Sequence, residues 1–236
     1  MQRYFSIGKD DNGYLLRVDD AYHIKKVMRM KIGDLIEVVD NKVIYICKIN
    51  SLEPLKVEIV KKLEENNESK IKITLVQSLV NEQKMDYILQ KCTELGVSSF
   101  YAYKASNSVI KENDKSNKKI IRWQRIVKES AEQSKRNIIP EVVDIIGINE
   151  LIKLKADVKL LLTVNEKSKM LKNVLQQFKS CDTMIIVVGP EGGFTNMEEK
   201  ILVDNGFISV SIGKTVLRTE TAGVATLSMT NYEWMV

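Results

Sequence analysis

The residues best suited to chemistry lie in two glycine loops between positions 189 and 222 of this 236-residue chain. The first loop, Gly189–Gly193, reads GPEGG, and the second begins at Gly213 and carries Arg218 and Glu220. Glycine lets a ligand approach the backbone, and a helix that starts after such a loop offers unpaired N–H groups. Two such loops with charged residues predict a ligand site, although glycines that only make tight turns are the alternative.

The flanking segments indicate how these loops are positioned. Met184–Val188 is a continuous apolar run, which is typical of a strand buried on both faces. Thr195 to Glu198 forms a T-x-x-E capping box and predicts a helix start. Phe207–Ile212 alternates as a strand does, and a last helix is predicted from about Thr219. Both glycine loops therefore follow parallel strands, at the sheet edge where ligands bind in open α/β sheets.

Segments upstream extend the same alternation of strands and helices. Further strands are predicted at Ile71–Val76, Phe100–Tyr103 and Asp157–Val164. Helices are predicted for the apolar stripe from Met85 to Leu95, which Gly96 ends, for Arg122–Arg136, and for Lys169–Phe178. Lys111–Lys119 is predicted as a polar loop. This order predicts an α/β domain with a mostly parallel sheet.

The N-terminal part has a different pattern, rich in strands. Strands are predicted at Leu35–Val39, Val43–Cys47 and Val57–Val60, with a turn at residues 40–42. Asp19 or Asp20 is expected to cap a short helix, and the polar segment Lys61–Lys70 is interpreted as a linker. The chain is therefore divided into domains at residues 1–69 and 70–236.

Composition narrows the possible classes of protein. The formal net charge is +5, which is compatible with nucleic acid binding. No apolar signal region or membrane span is found, and three scattered cysteines fit a reducing cytoplasm. A single histidine and no cysteine cluster argue against a metal site and against a hydrolase triad. Gly213-Lys214-Thr215 lacks the upstream glycine of a P-loop, and no G-x-G-x-x-G is present.

The two loops also carry a family resemblance. GPEGG at Gly189–Gly193 and LRTETA at Leu217–Ala222 resemble the C-terminal signature of the SPOUT methyltransferases, in eleven identical positions. More narrowly, the chain resembles the bacterial enzymes that methylate uridine N3 in 16S ribosomal RNA. Lys84-Met85-Asp86, the ELGV segment at 94–97 and the helix at 122–136 resemble further family segments, whereas Asn81 and Thr215 stand where the family often has basic residues.

The resemblance implies a fold, a methyl donor and partners. It implies an N-terminal PUA-like β-barrel and a methyltransferase domain whose C-terminal part forms a trefoil knot. It implies S-adenosylmethionine as the donor, no metal, a homodimer in the cytoplasm, and 16S ribosomal RNA in the small ribosomal subunit as the substrate. The residues that it implies for donor binding are Leu162, Thr163, Gly189, Pro190, Glu191, Gly192, Gly193, Ile212, Gly213, Val216, Leu217, Thr221 and Ala222.

Methyl transfer to uridine N3 also requires loss of the N3 proton. Arg218 could stabilise negative charge on the base, and Glu220 could accept the proton. The alternatives are an ion pair of Arg218 with Glu191 or Glu220, and a helix-dipole role for Glu220. The residues expected to contact RNA are Arg3, His23, Arg29, Lys84, Gln133 and Arg136.

Two other functions remain open from the sequence. The first is a non-catalytic RNA-binding protein that keeps the fold. The second is a methyltransferase of the same fold that acts on another base or on ribose.

Overall fold

The computed structural model describes residues 1–10, 13–108, 116–178 and 181–234. These residues form two compact units, and the N-terminal one contains a segment from the middle of the chain. The units are Met1–Glu68 with Ala131–Ile138, and Ser69–Ser130 with Ile139–Val236. The division into domains at residues 69 and 70 stays a proposal, since Ala131–Ile138 belongs with the first unit.

The N-terminal unit is built on a four-stranded sheet and a small hairpin. Its elements are β1 (Arg3–Phe5), β2 (Gly8–Asp10), β3 (Gly13–Leu15), α1 (Val18–Tyr22), a π-helical turn (His23–Val27), β4 (Leu35–Asp40), β5 (Val43–Leu52) and β6 (Leu55–Leu63). The sheet order is β1-β4-β5-β6, with β1 parallel to β4 and the other pairs antiparallel, while β2 and β3 pair with each other. The three predicted strands and the turn at residues 40–42 are confirmed.

Two details of this unit differ from the sequence prediction. The segment interpreted as a linker begins inside β6, because Lys61, Lys62 and Leu63 still pair with β5. The short helix is preceded by Arg17, whose side chain makes no capping hydrogen bond, and Asp20 is buried within the helix. An aspartate cap is therefore wrong, since the helix starts one residue before Asp19.

The second unit is an α/β domain. Its elements are β7 (Lys72–Ser78), α2 (Glu82–Glu94), β8 (Ser99–Tyr103), α3 (Ser116–Gln133), β9 (Glu141–Ile146), α4 (Ile148–Leu151), β10 (Val158–Leu162), α5 (Leu171–Gln177), β11 (Thr183–Val188), α6 (Asn196–Asp204), β12 (Ile208–Val210) and α7 (Thr219–Trp234). The last three residues of α3 lie in the N-terminal unit. The six strands are all parallel, in the order β12-β10-β11-β7-β8-β9. The predicted fold class is confirmed.

The apolar pattern explains why this sheet forms. Leu160 and Leu161 are fully buried and belong to two different apolar clusters, so both faces of β10 are covered. The predicted stripe on α2 packs into one of these clusters through Met85, Ile88 and Cys92. Strands covered on both faces read as continuous apolar runs, which is the pattern that the sequence shows.

Helix boundaries were predicted well where a local signal exists. Thr195 Oγ1 accepts from the Glu198 backbone N–H, and Glu198 Oε2 accepts from the Thr195 N–H, which confirms the capping box at the start of α6. Gly96 follows α2 at a φ of +92°, and α7 begins at Thr219 as predicted. These helix boundaries depend on neighbouring residues alone, so they can be predicted from the sequence.

Helix α3 differs from its prediction at both ends. Residues 116–119, predicted as loop, belong to the helix, and the rest of that predicted loop, 111–115, lies outside the described residues. The helix ends at Gln133, and Lys135 has a φ of +62°, so Arg136 does not extend the helical face that Arg125 and Glu129 share. Strand β9 follows and was not predicted. No described helix has the length and apolarity needed to cross a membrane.

Candidate active site

A cleft of about 1080 Å³ opens at the carboxyl edge of the parallel sheet. The ends of three neighbouring strands form its floor, because Leu162 at the end of β10 lies opposite both Val188 of β11 and Val210 of β12. The loops that follow these strands form its walls, and they are the three loops expected from the sequence. All predicted donor-binding residues except Thr221 line the cleft: Leu162, Thr163, Gly189, Pro190, Glu191, Gly192, Gly193, Ile212, Gly213, Val216, Leu217 and Ala222.

The loop after β11 requires glycine for steric and conformational reasons. A Cβ atom on Gly189 would lie 2.9 Å from the ring of Phe194, which is itself buried. Gly193 has a φ of +68° and donates its N–H to the carbonyl of Pro190 at 3.0 Å. A side chain at either position would therefore displace the loop, which explains two of its three glycines.

A residue that the sequence analysis did not single out supports the same loop. The Asn107 side-chain amide donates to the carbonyls of Gly192 and Gly193, at 3.3 and 3.2 Å. Glu198 holds the segment before Asn107, because its Oε1 accepts from the Tyr103 hydroxyl at 2.8 Å and from the Ser106 N–H at 2.9 Å. Local sequence gives no sign of this contact, since Asn107 and Gly192 are 85 positions apart.

A buried relay joins this loop to the start of α7. Gln77 at the end of β7 is 1% exposed, and its Nε2 donates to Thr219 Oγ1 at 2.9 Å. Thr219 Oγ1 in turn donates to the Gly189 carbonyl at 2.6 Å. The relay fixes the first residue of α7, and with it the neighbouring Arg218 and Glu220, relative to the glycine loop.

Lys84 lies at the cleft between two carboxylates. Asn81 caps α2 by accepting from the Lys84 backbone N–H at 2.9 Å. Lys84 Nζ donates to Glu191 Oε1 at 2.9 Å and lies 3.5 Å from Glu220 Oε2. The hydrogen bond to Glu191 raises the pKa of Lys84. Partial burial opposes ionisation of Glu191, but the hydrogen bond and charge of Lys84 outweigh it and hold the pKa of Glu191 below its usual range.

Arg218 has no such partner. Its side chain is exposed and lines the cleft, and it makes no ion pair with any residue in the described ranges. The alternative in which Arg218 pairs with Glu191 or Glu220 is therefore not realised, because Lys84 occupies both carboxylates. Arg218 is available to a ligand in the cleft, as a charge-stabilising role would require.

Side-chain hydrogen bonds, both within the loop and to α6, order the loop after β10. Glu199 of α6 accepts hydrogen bonds from the Thr163 hydroxyl and from Asn165 Nδ2. Glu166 accepts from the side chain and N–H of Ser168 and from the N–H of Lys169, and these bonds lower its pKa to about 2. Backbone hydrogen bonds between Ser211 and this segment then join the loop after β10 to the loop after β12.

The residues expected to contact RNA, apart from Lys84, lie in the N-terminal unit, and two of them are buried. Arg3 is 2% exposed, and its guanidinium donates to Glu37 Oε2 at 2.8 Å and to the carbonyls of Lys135 and Arg136. Arg136 is 4% exposed and pairs with Glu68 at 2.5 Å. The structure thus corrects the prediction for Arg3 and Arg136, because buried and paired guanidinium groups stabilise this unit and are not presented to phosphates.

The other three residues remain accessible. Arg29 and Gln133 are exposed, and Arg29 has a φ of +53°. His23 is half-buried, with its Nδ1 2.9 Å from the Tyr4 hydroxyl and its ring edge-on to the Tyr4 ring. Arg29 and Gln133 can reach a ligand without rearrangement, whereas His23 also has a structural contact. Within the described part of the chain, no three His, Cys, Asp or Glu side chains cluster as metal ligands would.

The chain is similar to known proteins both in sequence and in structure. The sequence model of the RNA methyltransferase domain family matches residues 67–231. The model of the RNA methyltransferase PUA domain family matches residues 16–62. A ribosomal RNA small subunit methyltransferase E of Bacillus subtilis is 33% identical over 99% of this chain and 97% of the relative. That of Aquifex aeolicus is 34% identical over 97% of this chain and 98% of the relative.

A solved structure has the same architecture. The ribosomal RNA small subunit methyltransferase E of Neisseria gonorrhoeae, bound to S-adenosyl methionine, superposes with a TM-score of 0.90 and 32% identity. The match covers 99% of this chain and 98% of that one. The family resemblance of the two loop motifs thus extends over nearly the whole length of the chain. The chain belongs to the ribosomal RNA small subunit methyltransferase E family, and is an RNA methyltransferase with an N-terminal PUA domain.

Proposed function

We propose that the protein transfers a methyl group from S-adenosylmethionine to N3 of a uridine in 16S ribosomal RNA. The observation that carries the proposal is the cleft at the carboxyl edge of the sheet, which is lined by the glycine loops, by Lys84 and by Arg218. Arg218 makes no ion pair with a described residue, and Lys84 contacts Glu220. The relative from Neisseria gonorrhoeae, which contains S-adenosyl methionine, supports the choice of donor. The 16S assignment follows the small-subunit name of the relatives.

The residues present fit such a donor. The cleft is of the size that small-molecule sites have, and its glycine loops offer backbone groups at close range. The donor-binding residues predicted from the sequence are proposed to hold it, while Thr221 is exposed and does not line the cleft. Bound there, S-adenosylmethionine supplies a methyl group that its sulfonium charge has already activated.

The protein must then make N3 of uridine nucleophilic. We propose that the carboxylate of Glu220 removes the N3 proton, directly or through a water molecule, so that the N3 lone pair becomes available. The charge that develops on the base is stabilised by the Arg218 guanidinium at a carbonyl oxygen. Glu220 and Arg218 are suited to act together, because the Gln77–Thr219–Gly189 relay fixes the helix start that carries both.

RNA binding is assigned to both units. The exposed Arg29 and Gln133, with His23, are proposed to hold the RNA at the PUA domain. The target base has to be unpaired or flipped for its N3 to reach the cleft. We also propose the cytoplasm as the location and a homodimer as the active form, to which exposed residues of α7 such as Met229 and Tyr232 could contribute an apolar surface.

The decisive experiment is methyl transfer from labelled S-adenosylmethionine to small ribosomal subunits that lack modifications, followed by nucleoside mass spectrometry. N3-methyluridine would establish the donor, the RNA and the atom together. Another methylated nucleoside would establish a methyltransferase with a different target. Donor binding without transfer to small subunits would point to a different RNA, and loss of both would favour a non-catalytic RNA-binding protein.

A further inference from the structure

Lys84 makes unequal contacts with the two carboxylates beside it. Its Nζ donates a well-formed hydrogen bond to Glu191 Oε1 at 2.9 Å. The distance to Glu220 Oε2, 3.5 Å, lies beyond the range of a well-formed hydrogen bond, so that contact is an ion pair. The ammonium group therefore contacts both carboxylates, and its contact with Glu220 is the longer of the two.

Glu220 Oε2 is one of several buried side-chain atoms of this unit that lack a hydrogen-bond partner among the described residues. The atom is inaccessible to solvent and has no hydrogen-bond partner among the described residues, although the side chain as a whole is 17% exposed. Nearly all buried polar atoms in proteins are hydrogen-bonded, and a carboxylate oxygen left without a donor requires an explanation. The Lys84 ammonium, 3.5 Å from this oxygen, supplies a compensating positive charge in place of a hydrogen bond.

The contacts also place Lys84 as a bridge between two loops. Glu191 belongs to the glycine loop after β11, whereas Glu220 lies in the first turn of α7. Lys84 reaches both from the first turn of α2, and the Asn81 cap fixes the start of that helix. A single cation thus holds the wall of the proposed donor site and the proposed base in one arrangement.

We propose that Lys84 is a positioning residue that holds Glu220 in the orientation needed for removal of the N3 proton, and that it is not a contact to RNA phosphate. This inference rests on the proposed function, because it assumes that Glu220 is the proton acceptor. It changes the role that the sequence suggested for Lys84. Its side chain is only 26% exposed, and it contacts two carboxylates of the protein itself.

The test is a double-mutant cycle of Lys84→Met and Glu220→Gln, with turnover, donor affinity and RNA affinity measured for each variant. We expect Lys84→Met to lower kcat by roughly 100-fold, the lower end of what a positioned base contributes. We expect Lys84→Arg, which keeps the charge, to recover at least about tenfold of that loss. In the Glu220→Gln background, Lys84→Met should lower kcat by less than about threefold, because the effects of substitutions within one network do not add.

A matched control comes from the same helix. Lys91 of α2 pairs with Glu94 at 2.8 Å and does not line the cleft, so Lys91→Met removes a similar exposed ion pair without touching the site. Its kcat should stay within about twofold of the wild type, as for other surface changes. Thermal unfolding of all variants verifies that the fold is retained.

The two roles of Lys84 predict opposite results. A phosphate contact would lower RNA affinity, reduce the slope of log affinity against log salt by about 1, and act independently of Glu220. That outcome, or a kcat unchanged by Lys84→Met, would overturn the proposal. If the wild type itself transferred no methyl group, the proposed function would fail as well. If the wild type turned over normally but the effects of the two substitutions on kcat were additive, only the role of Lys84 would be removed.

Discussion

The arginines of the two units differ in whether their charges already have partners. Arg3 and Arg136 of the N-terminal unit are buried against carboxylates and backbone carbonyls. Arg218 of the second unit is exposed at a cleft and has no ion pair within the described residues. All three were expected from the sequence to act on RNA or substrate. The comparison teaches that the partners of an arginine, which sequence does not show, decide whether it stabilises the fold or serves the site.

The carboxylates show the same contrast. Glu68 in the N-terminal unit accepts from Arg136 and from the backbone N–H groups of Asn137 and Ile138. Glu220 in the second unit has an oxygen that accepts no hydrogen bond from the described residues. Saturated polar groups make a rigid network, whereas an unsatisfied one has a stability cost that a fold retains where a function needs it.

The largest effect should come from breaking the saturated network. We expect Arg136→Met to lower the free energy of unfolding of the N-terminal unit by about 3–5 kcal/mol, because it leaves the buried Glu68 carboxylate without its cation. Urea denaturation would measure this loss. The control is Arg29→Met, an exposed arginine of the same unit, which should change stability by no more than about 0.5 kcal/mol. Equal effects of the two variants would remove the distinction drawn between buried and exposed arginines.

The second effect tests the exposed arginine of the cleft. We expect Arg218→Ala to lower kcat by about 10²–10³-fold, since removal of one charge-stabilising donor costs about 2.7–4 kcal/mol in the transition state. Donor affinity by calorimetry and the melting temperature should stay near wild-type values, because the side chain has no ion pair to lose within the described chain. A stability loss as large as that of Arg136→Met would show that Arg218 is structural after all.

The third effect tests the relay that orients the start of α7. We expect Thr219→Val to weaken donor binding and lower stability by about 1–3 kcal/mol, because the Gly189 carbonyl and the Gln77 amide both lose a buried partner. Thr219→Ser keeps the hydroxyl and should retain most of the donor affinity. If the valine and serine variants bound the donor equally, the hydroxyl would have no role in the site.

The smallest effect depends on pH. Burial opposes ionisation of Glu198, but hydrogen bonds from Ser106, Thr195 and Tyr103 outweigh it, so its pKa is lowered from 4.5 in the folded protein. A lowered pKa stabilises the fold above the unfolded-state pKa, and this contribution is lost as pH falls through the folded-state pKa. Glu198→Gln should therefore cost on the order of 1 kcal/mol at pH 7 and progressively less below pH 4.5. A cost that is the same at pH 7 and pH 3 would contradict this.

Local signals made much of the fold predictable. The glycine loops, the capping box at Thr195 and the start of α7 at Thr219 follow from neighbouring residues, and the structure confirms them. Buried parallel strands were recognised because both faces are apolar. Strands β1, β2 and β3 were missed, since three residues each are too few to show a period. The trefoil knot and the homodimer stay predictions of the family resemblance.

The site was only partly predictable because its supports are distant in sequence. Asn107, Gln77 and Lys84 contact the cleft loops over separations of 85 to 142 positions. The burial of Arg136 was missed for a related reason, since the helix predicted to reach Arg136 ends at Gln133. Spacing along a helix predicts which residues share a face, but not where a positive φ ends the helix.

The inclusion of Ala131–Ile138 in the N-terminal unit has a consequence for synthesis of the chain. The carbonyls that accept from Arg3 and the cation that pairs with Glu68 belong to this segment, which follows the rest of the unit after residues 69–130. At the roughly 5–20 residues per second at which chains are made, several seconds separate the two parts on the ribosome. During that interval the PUA domain lacks its buried partners, so its native packing is completed only when much of the catalytic domain has emerged.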